Sequence, residues 1–408
     1  MKNYVIIGGG VASVACIEGI RQTDKSGKIY LISGEGKPTY CRPLISYYLQ
    51  GITDFKKMKY RPDGFYAENN CELIFGKAEK VDAENKTVKV GNKTIKYDSL
   101  CVATGSAPFV PPFNGLDTVE NKTAFMTEDD ALYIEKNISS DTKVLIIGAG
   151  LIGLKCAEGL VGKVKSITVS DLATRVLSSI LDDECALYMQ KVLEEQGVSF
   201  MLGDSVSVFD KNKATFNSGK AVDFDLLILA VGVRANISLV KDVGGETNRG
   251  IIVNDKMQTS LPCVYSAGDC AEGYDNSISA KRVLAILPSA YQQGFTAGVN
   301  MAGGDKSLLD EFPLNAIGFF GLHALTAGAY KGEMYQEKTE KGIKRLFFDG
   351  DKLVGFILIG DVKGAGIYTS LIKNKTILTE NMKKMLEKSP SLAIFDSLTR
   401  SQKLGGVV

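Results

Sequence analysis

Two glycine-rich turns, each directly after an apolar run, constrain this chain more than any other feature. The first is Tyr4-Val5-Ile6-Ile7-Gly8-Gly9-Gly10-Val11-Ala12-Ser13, and the second is Val144-Leu145-Ile146-Ile147-Gly148-Ala149-Gly150-Leu151-Ile152-Gly153. A strand, a tight glycine turn and a helix form the unit that cradles a dinucleotide pyrophosphate. One such turn marks one dinucleotide site. Two in one chain predict two dinucleotides held facing each other, with a hydride passing between them.

The surroundings of the two turns repeat. After the first, Lys28-Ile29-Tyr30-Leu31-Ile32 reads as a second strand, and Glu35 follows where a carboxylate can bond a ribose hydroxyl. Ser13 stands in place of the third motif glycine, a mild departure because that position packs helix against strand. After the second, Lys165-Ser166-Ile167-Thr168-Val169-Ser170 reads as a strand ending at Asp171. An acid there favours the free 2′-hydroxyl of NAD and repels a 2′-phosphate, although Arg175 lies nearby. The two halves also close alike, Tyr97 to Gly105 matching Phe224 to Gly232, so a duplicated domain is expected. A third strand-and-turn signal, Val264-Tyr265-Ser266-Ala267-Gly268-Asp269, has no glycine turn of its own.

From about residue 311 the texture changes. Arg345 to Phe348 and Leu353 to Ile359 flank a turn at Asp349-Gly350-Asp351 and predict a hairpin, with helices near Ala365 to Ile372 and Glu380 to Leu386. This reads as a separate α+β domain.

Composition narrows the classes. The 408 residues are 45% hydrophobic, enough for two or three domains with real cores. A formal net charge of +1 points to neither nucleic acid nor an anionic membrane surface. No apolar run is long enough for a membrane span, and a strand starting at Tyr4 leaves no room for a signal peptide. The eight cysteines, Cys16, Cys41, Cys71, Cys101, Cys156, Cys185, Cys263 and Cys270, have spacings that fit neither zinc nor an iron–sulfur cluster. They predict a reduced, cytoplasmic protein with no metal site. The single histidine, His323, sits beside Leu322 and Leu325 and reads as structural, so the hard chemistry is expected from a cofactor.

Together, Gly8-Gly9-Gly10, Ala103-Thr104-Gly105, the turn Gly148 to Gly153 and Ala267-Gly268-Asp269, in that order, resemble the FAD-dependent pyridine nucleotide–disulfide oxidoreductase family over nearly the whole chain. The resemblance implies an α/β fold of two Rossmann-like, three-layer ββα domains plus a C-terminal α+β domain. Residues 1–112 and 240–310 would bind FAD, residues 113–239 would bind NAD(H), and residues 311–408 would form an interface domain. Gly8, Gly10, Ser13 and Glu35 would hold FAD. Ala103, Thr104 and Gly105 would lie against it at the domain crossover, Gly268 and Asp269 at its ribityl chain. Gly148, Gly150, Gly153, Asp171 and Gly232 would hold NAD(H). Pro288 opens a helix whose N-terminus would face the flavin.

Tyr40-Cys41-Arg42-Pro43-Leu44-Ile45-Ser46 looks like the Arg-Pro segment of ferredoxin-, rubredoxin- and nitrite-reductase-like members, where the arginine approaches the FAD pyrophosphate. Gly153 to Gly159 and Gly360 to Thr369 look most like FAD/NAD oxidoreductases encoded beside carbon monoxide dehydrogenases. A disulfide reductase's paired cysteines are absent. NADH oxidases use one cysteine near the flavin, but counting back from Leu49 puts that position near Pro43, so Cys41 reads as a small residue beside the cofactor.

Ferredoxin-reductase-like relatives often pair a lysine after the Arg-Pro segment with a glutamate after the second turn. Here these positions hold Tyr47 and Lys155, which reads as a compensated swap with Lys155 supplying the cation; the plainer alternative is a helix lysine paired with Glu158. Lys56-Lys57-Met58-Lys59-Tyr60-Arg61 is a candidate basic edge for an acidic carrier protein, or a solvated loop. The expected function is electron exchange between NADH and a small iron–sulfur protein. The alternatives are an NADH oxidase or a peroxide-, polysulfide- or nitrite-linked reductase, and a flavin-based redox-sensing interaction protein. A homodimer and a complex with a redox enzyme both stay open.

Overall fold

The computed structural model describes residues 1–404. It contains two compact units, Met1–Tyr274 with Lys281–Leu309, and Asp275–Ala280 with the residues from Asp310 onward. The end of the expected last domain, residues 405–408, lies outside the described residues.

The first unit holds two parallel sheets of the same design. In one, Asn3–Ile7 is flanked by Lys28–Ser33 and Ser99–Val102, with Cys71–Phe75 and Val264–Ser266 outermost. In the other, Lys143–Ile147 is flanked by Ser166–Asp171 and Leu226–Leu229, with Val198–Leu202 and Lys122–Thr123 outermost. The central strands are covered on both faces, which is why they read as continuous apolar runs without alternation. On the first sheet, Tyr4 and Ile6 face the helices Val11–Thr23 and Leu287–Met301, through Val14, Ile17 and Ala297. Val5 and Ile7 face the antiparallel sheet of Ala78–Asp82, Thr87–Val90 and Lys93–Lys96, through Val81, Val88 and Ile95. Three layers result. The second sheet packs Leu145 and Ile147 on Phe209 and Phe216 of the matching antiparallel sheet, Val206–Asp210, Lys213–Phe216 and Ala221–Asp223.

The duplication extends to single hydrogen bonds. Gly8 N–H donates to Ile32 O at 2.8 Å, and Gly148 N–H donates to Ser170 O at 2.7 Å. Ala103 N–H donates to Ile7 O at 2.8 Å, and Ala230 N–H donates to Ile147 O at 2.7 Å. In this register Asp171 matches Ser33, and Glu35 lies two residues beyond the matched position.

The helices Val11–Thr23 and Leu287–Met301 meet backbone to backbone. A Cβ on Gly294 would lie 2.0 Å from Ala12 O, one on Gly298 2.1 Å from Cys16 O, and one on Gly19 2.2 Å from Phe295 O.

The second unit is an antiparallel sheet in the order Leu314–Phe319, Leu322–Gly328, Lys352–Gly360, Gly342–Asp349, Glu333–Thr339. The expected hairpin is its centre. The helices Ala365–Lys373 and Glu380–Lys388 bring Tyr368, Leu371 and Leu386 against Phe356 and Leu358. His323 lies opposite Gly318, where an added Cβ would meet its Nδ1 at 2.8 Å, so the imidazole covers a glycine. Among the described residues, no helix is long and apolar enough to cross a membrane.

Candidate functional site

Each turn needs glycine for a measurable reason. Gly8 has φ +128° and Gly148 has φ +117°; a Cβ on either would lie 2.0 Å from Ala103 O or 2.2 Å from Ala230 O. Gly10 and Gly150 are helix N-caps in extended backbone, with no side chain on the free N–H groups and no acid in the first helical turn. Nothing lies within 4 Å of a Cβ built on either. Open, uncapped helix N-termini with glycine in front are suited to phosphate, so both turns fit a dinucleotide pyrophosphate. The third motif position differs between them. A Cβ on Gly153 would meet Gly148 O at 2.0 Å, whereas Ser13 is accommodated, fully buried, with its hydroxyl unpartnered.

The Arg-Pro segment gathers the first turn's polar groups. Arg42 is ion-paired with Glu35 and donates to Met126 O at 2.7 Å. Tyr40 Oη donates to Glu35 Oε2 at 2.8 Å and accepts from Glu128 N–H at 3.0 Å, and its ring lies under the Arg42 guanidinium. Both carboxylate oxygens of Glu35 thus have partners within the protein. Pro43 sits in the short 3-10 turn Arg42–Leu44.

Asp269 is half-buried and accepts from Ser106 Oγ at 3.3 Å. Burial pushes its carboxyl above the usual carboxylate range, against the pull of Ser106 and of the Arg42 charge. Gly268, with φ +79°, donates its N–H to the buried Gln293 at 2.9 Å. Gln293 belongs to the helix that Pro288 opens, so the strand-and-turn signal at 264–269 and that helix are tied together.

At the crossover, Thr104 Oγ1 donates to Asn236 O at 2.7 Å, and Asn236 Nδ2 donates to Thr104 O at 2.9 Å. The flanking segments Ser106–Pro108 and Val233–Ala235 pair antiparallel, beside Gly105 (φ +62°) and Gly232 (φ +108°). Sequence reasoning missed Asn236, Ser106 and Gln293; the signal at Asn236 was its place just past the strand matched to Ala103–Gly105.

In the second turn, Asp171 reaches back. Its carboxylate accepts from Ala149 N–H at 2.7 Å and from Ala173 N–H at 2.8 Å. The acid that closes the second strand therefore also braces the glycine turn.

Tyr47 and Lys155 do meet. The helices Ile45–Gln50 and Leu151–Leu160 pack so closely that a Cβ on Gly159 would lie 2.9 Å from Leu49 Cβ. The Lys155 ammonium stands 5.1 Å from the Tyr47 ring centroid and pairs with the buried carboxylate of Glu158. The plainer sequence alternative, a Lys155–Glu158 pair, is present together with the Tyr47 contact. Cys41 is half-buried, and burial pushes its thiol up, with the Leu44 N–H pulling only partly back.

The candidate basic edge is largely neutralised. Lys57 pairs with Asp54 at 3.2 Å, Lys59 with Asp63 at 2.5 Å and Arg61 with Glu18 at 2.8 Å.

Two matched dinucleotide folds in one compact unit, followed by an antiparallel-sheet unit, define the class of protein. Residues 2–294 match the model of the pyridine nucleotide-disulphide oxidoreductases, and the chain belongs to that family. FAD and NAD(H) are the family's cofactors. Residues 314–376 match the rubredoxin NAD+ reductase C-terminal domain. The chain is 33% identical over 399 residues to a nitrite reductase [NAD(P)H] of Bacillus subtilis, covering 94% of this chain and 48% of that protein. It thus spans about half the length of that relative. It is 30% identical over 392 residues to the epsilon subunit of an NADH-dependent phenylglyoxylate dehydrogenase of Aromatoleum evansii, covering 92% of each. Among solved structures, the covalent putidaredoxin reductase–putidaredoxin complex contains a chain similar in fold, with a TM-score of 0.87 at 22% identity over 93% of this chain and 95% of that one.

Proposed function

We propose that this chain is a FAD-containing, NADH-dependent oxidoreductase passing electrons between NAD(H) and a small iron–sulfur protein of the ferredoxin or rubredoxin type. The observation that carries the reading is the pair of open, uncapped helix N-termini at Gly10 and Gly150 in one unit. The match of residues 314–376 to a rubredoxin reductase domain supports the iron–sulfur partner. In this reading residues 1–112 and 240–310 hold FAD, residues 113–239 hold NAD(H), and residues 311–408 form the interface domain. Free cysteines support a cytoplasmic setting.

FAD, when bound, takes up a hydride equivalent and releases its electrons singly, which links a two-electron donor to a one-electron carrier. The chain's part is binding, orientation and charge. Gly8 and Gly10 would admit the pyrophosphate, and Arg42, held by Glu35 and Tyr40, would supply a planar cation to it. Asp269 would accept a hydrogen bond from the ribityl chain. Gly148, Gly150 and Gly153 would admit the second pyrophosphate, and Asp171 would disfavour a 2′-phosphate by charge.

Anaerobic NADH titration followed by an acceptor screen tests the reading. Reduction of a ferredoxin or rubredoxin faster than of oxygen, peroxide, polysulfide or nitrite is expected. Turnover with nitrite or oxygen alone favours the second reading, which the name of the B. subtilis relative supports. Reduction without turnover on any acceptor would point to a redox sensor.

Three variants bear on the residues. Cys41→Ser is expected to leave NADH-dependent dye reduction largely intact, because a half-buried thiol with a raised pKa is a poor nucleophile. A loss on the order of a hundredfold, with flavin bound, would place Cys41 in the mechanism. Asp171→Asn keeps an acceptor for Ala149 while removing the charge, so it is expected to narrow the NADH-over-NADPH preference in stopped-flow reduction; Asp171→Ala should also weaken NADH binding by loosening the turn. Lys155→Gln is expected to lower the flavin midpoint potential by some tens of millivolts and slow reduction by NADH, a cation near a developing anion being worth a few kcal/mol at most. Parental potential and rate would make Lys155 an ordinary partner of Glu158.

A further inference from the structure

A cavity of about 170 Å³ opens in the second unit, where the segment Asp275–Ala280, the start of the strand Lys352–Gly360 and the C-terminal end of the helix Ala365–Lys373 converge. Three lysines from three elements line it, Lys331, Lys352 and Lys375, together with the neutral polar side chains of Asn276, Ser277 and Ser279. Among the described residues, no acidic side chain lines it. Lys331 is tied to Asp349 at 2.9 Å. Lys352 and Lys375 form no ion pair among the described residues, and Ser277 on the same wall donates its hydroxyl to Asp275 at 2.7 Å. We propose that this cavity is a binding site for a phosphate group, free or on a small phosphorylated molecule, separate from the two dinucleotide turns.

The helix end on this wall closes in the ordinary left-handed way. Lys375 follows the helix C-cap Asn374 with φ +48°, and the helix closes with Lys375 N–H on Ile372 O at 3.2 Å and Thr376 N–H on Leu371 O at 3.1 Å. Glycine is favoured at that position because a side chain is strained there. The helix dipole already has a cation in Lys373, in the last turn and paired with Asp310 at 2.7 Å, so end-charge stabilisation does not require Lys375. Ser279, on the same cavity wall, also has a left-handed backbone, with φ +54°.

Lysine presents a compact point charge with rotatable donors, which suits a phosphate that can be approached from several sides. Phe312 and Ile372 give the cavity an apolar side for a short neutral body. A volume of about 170 Å³ is below the range of typical cofactor pockets, so one or two phosphate groups with a small substituent fit, and a dinucleotide does not.

Titration calorimetry of the full-length protein with inorganic phosphate, inorganic pyrophosphate and glycerol 3-phosphate tests the site. Saturable binding of at least one probe is expected, weakened at least tenfold in the double variant Lys352→Gln/Lys375→Gly. Lys375→Gly relieves the left-handed backbone, so the variant is expected to keep its melting temperature and its reduction by NADH. Tighter binding of glycerol 3-phosphate than of the inorganic probes assigns a phosphorylated metabolite, and the reverse order assigns the free anion; both support the site. Equal binding by the double variant, which would place the anion at the helix N-termini of the first unit, overturns the proposal. So does the absence of saturable binding of all three probes.

Discussion

Gly10→Asp is expected to fold and to purify without flavin, whereas Gly150→Asp is expected to keep its flavin and to be reduced by NADH on the order of a hundredfold more slowly. Both glycines are N-caps with extended backbone, φ −94° and −83°, and open space where a side chain would go. Aspartate is a favoured N-cap, so neither change should harm the helix. Its carboxylate would take the free N–H groups and set a negative charge where a phosphate must sit. The flavin-to-protein absorbance ratio, stopped-flow reduction and circular dichroism melts separate the outcomes. Variants that bind flavin and react with NADH like the parent would show that these helix ends are not phosphate sites.

Gly298→Val is expected to cost about 3 kcal/mol or more, or to prevent folding. The added Cβ would lie 2.1 Å from Cys16 O, a backbone atom of a buried helix that cannot move aside without separating from its sheet. Gly366→Ala is the matched control. It lies in the helix Ala365–Lys373 with nothing within 4 Å of the added atom, so a gain of about 0.5–1 kcal/mol is expected from helix propensity alone. Thermal melts of the two variants decide it; an unchanged midpoint for Gly298→Val would mean that the two helices can slide apart freely.

The parts of this protein that were legible in its sequence depend on neighbours along the chain. Apolar runs announce strands buried on both faces, and the glycines at positions 8, 10, 148 and 150 announce their turns, because strand, turn and helix are consecutive. The internal repeat reinforced both. What stayed hidden depends on residues far apart in sequence. Arg61 looked like part of a basic edge, but its partner is Glu18, from the first helix. Glu35 and Asp171 looked like equivalent ribose readers by spacing, yet the strand register matches Asp171 to Ser33, and Asp171 holds its own turn. The segment Asp275–Ala280, which belongs to the second compact unit, carries no shift in composition to mark it. Tyr47 and Lys155, singled out because both differ from the pattern of ferredoxin-reductase-like proteins, lie together, with the lysine 5.1 Å from the ring centroid. The buried Glu158 beside them gives the lysine a fixed direction, which spacing alone could not assign.

The antiparallel pairing of Ser106–Pro108 with Val233–Ala235 has a consequence for how such a chain could arise. The path leaves the first nucleotide sheet and re-enters it along two strands lying side by side, pinned by the reciprocal Thr104 and Asn236 bonds. Everything between them is therefore a cassette with adjacent ends. Such a segment can be gained, lost or exchanged by recombination at a single point, leaving the host sheet's strand order untouched. A copy of the host fold inserted into its own crossover would produce the duplicated turns at one stroke, already joined where two cofactors have to meet.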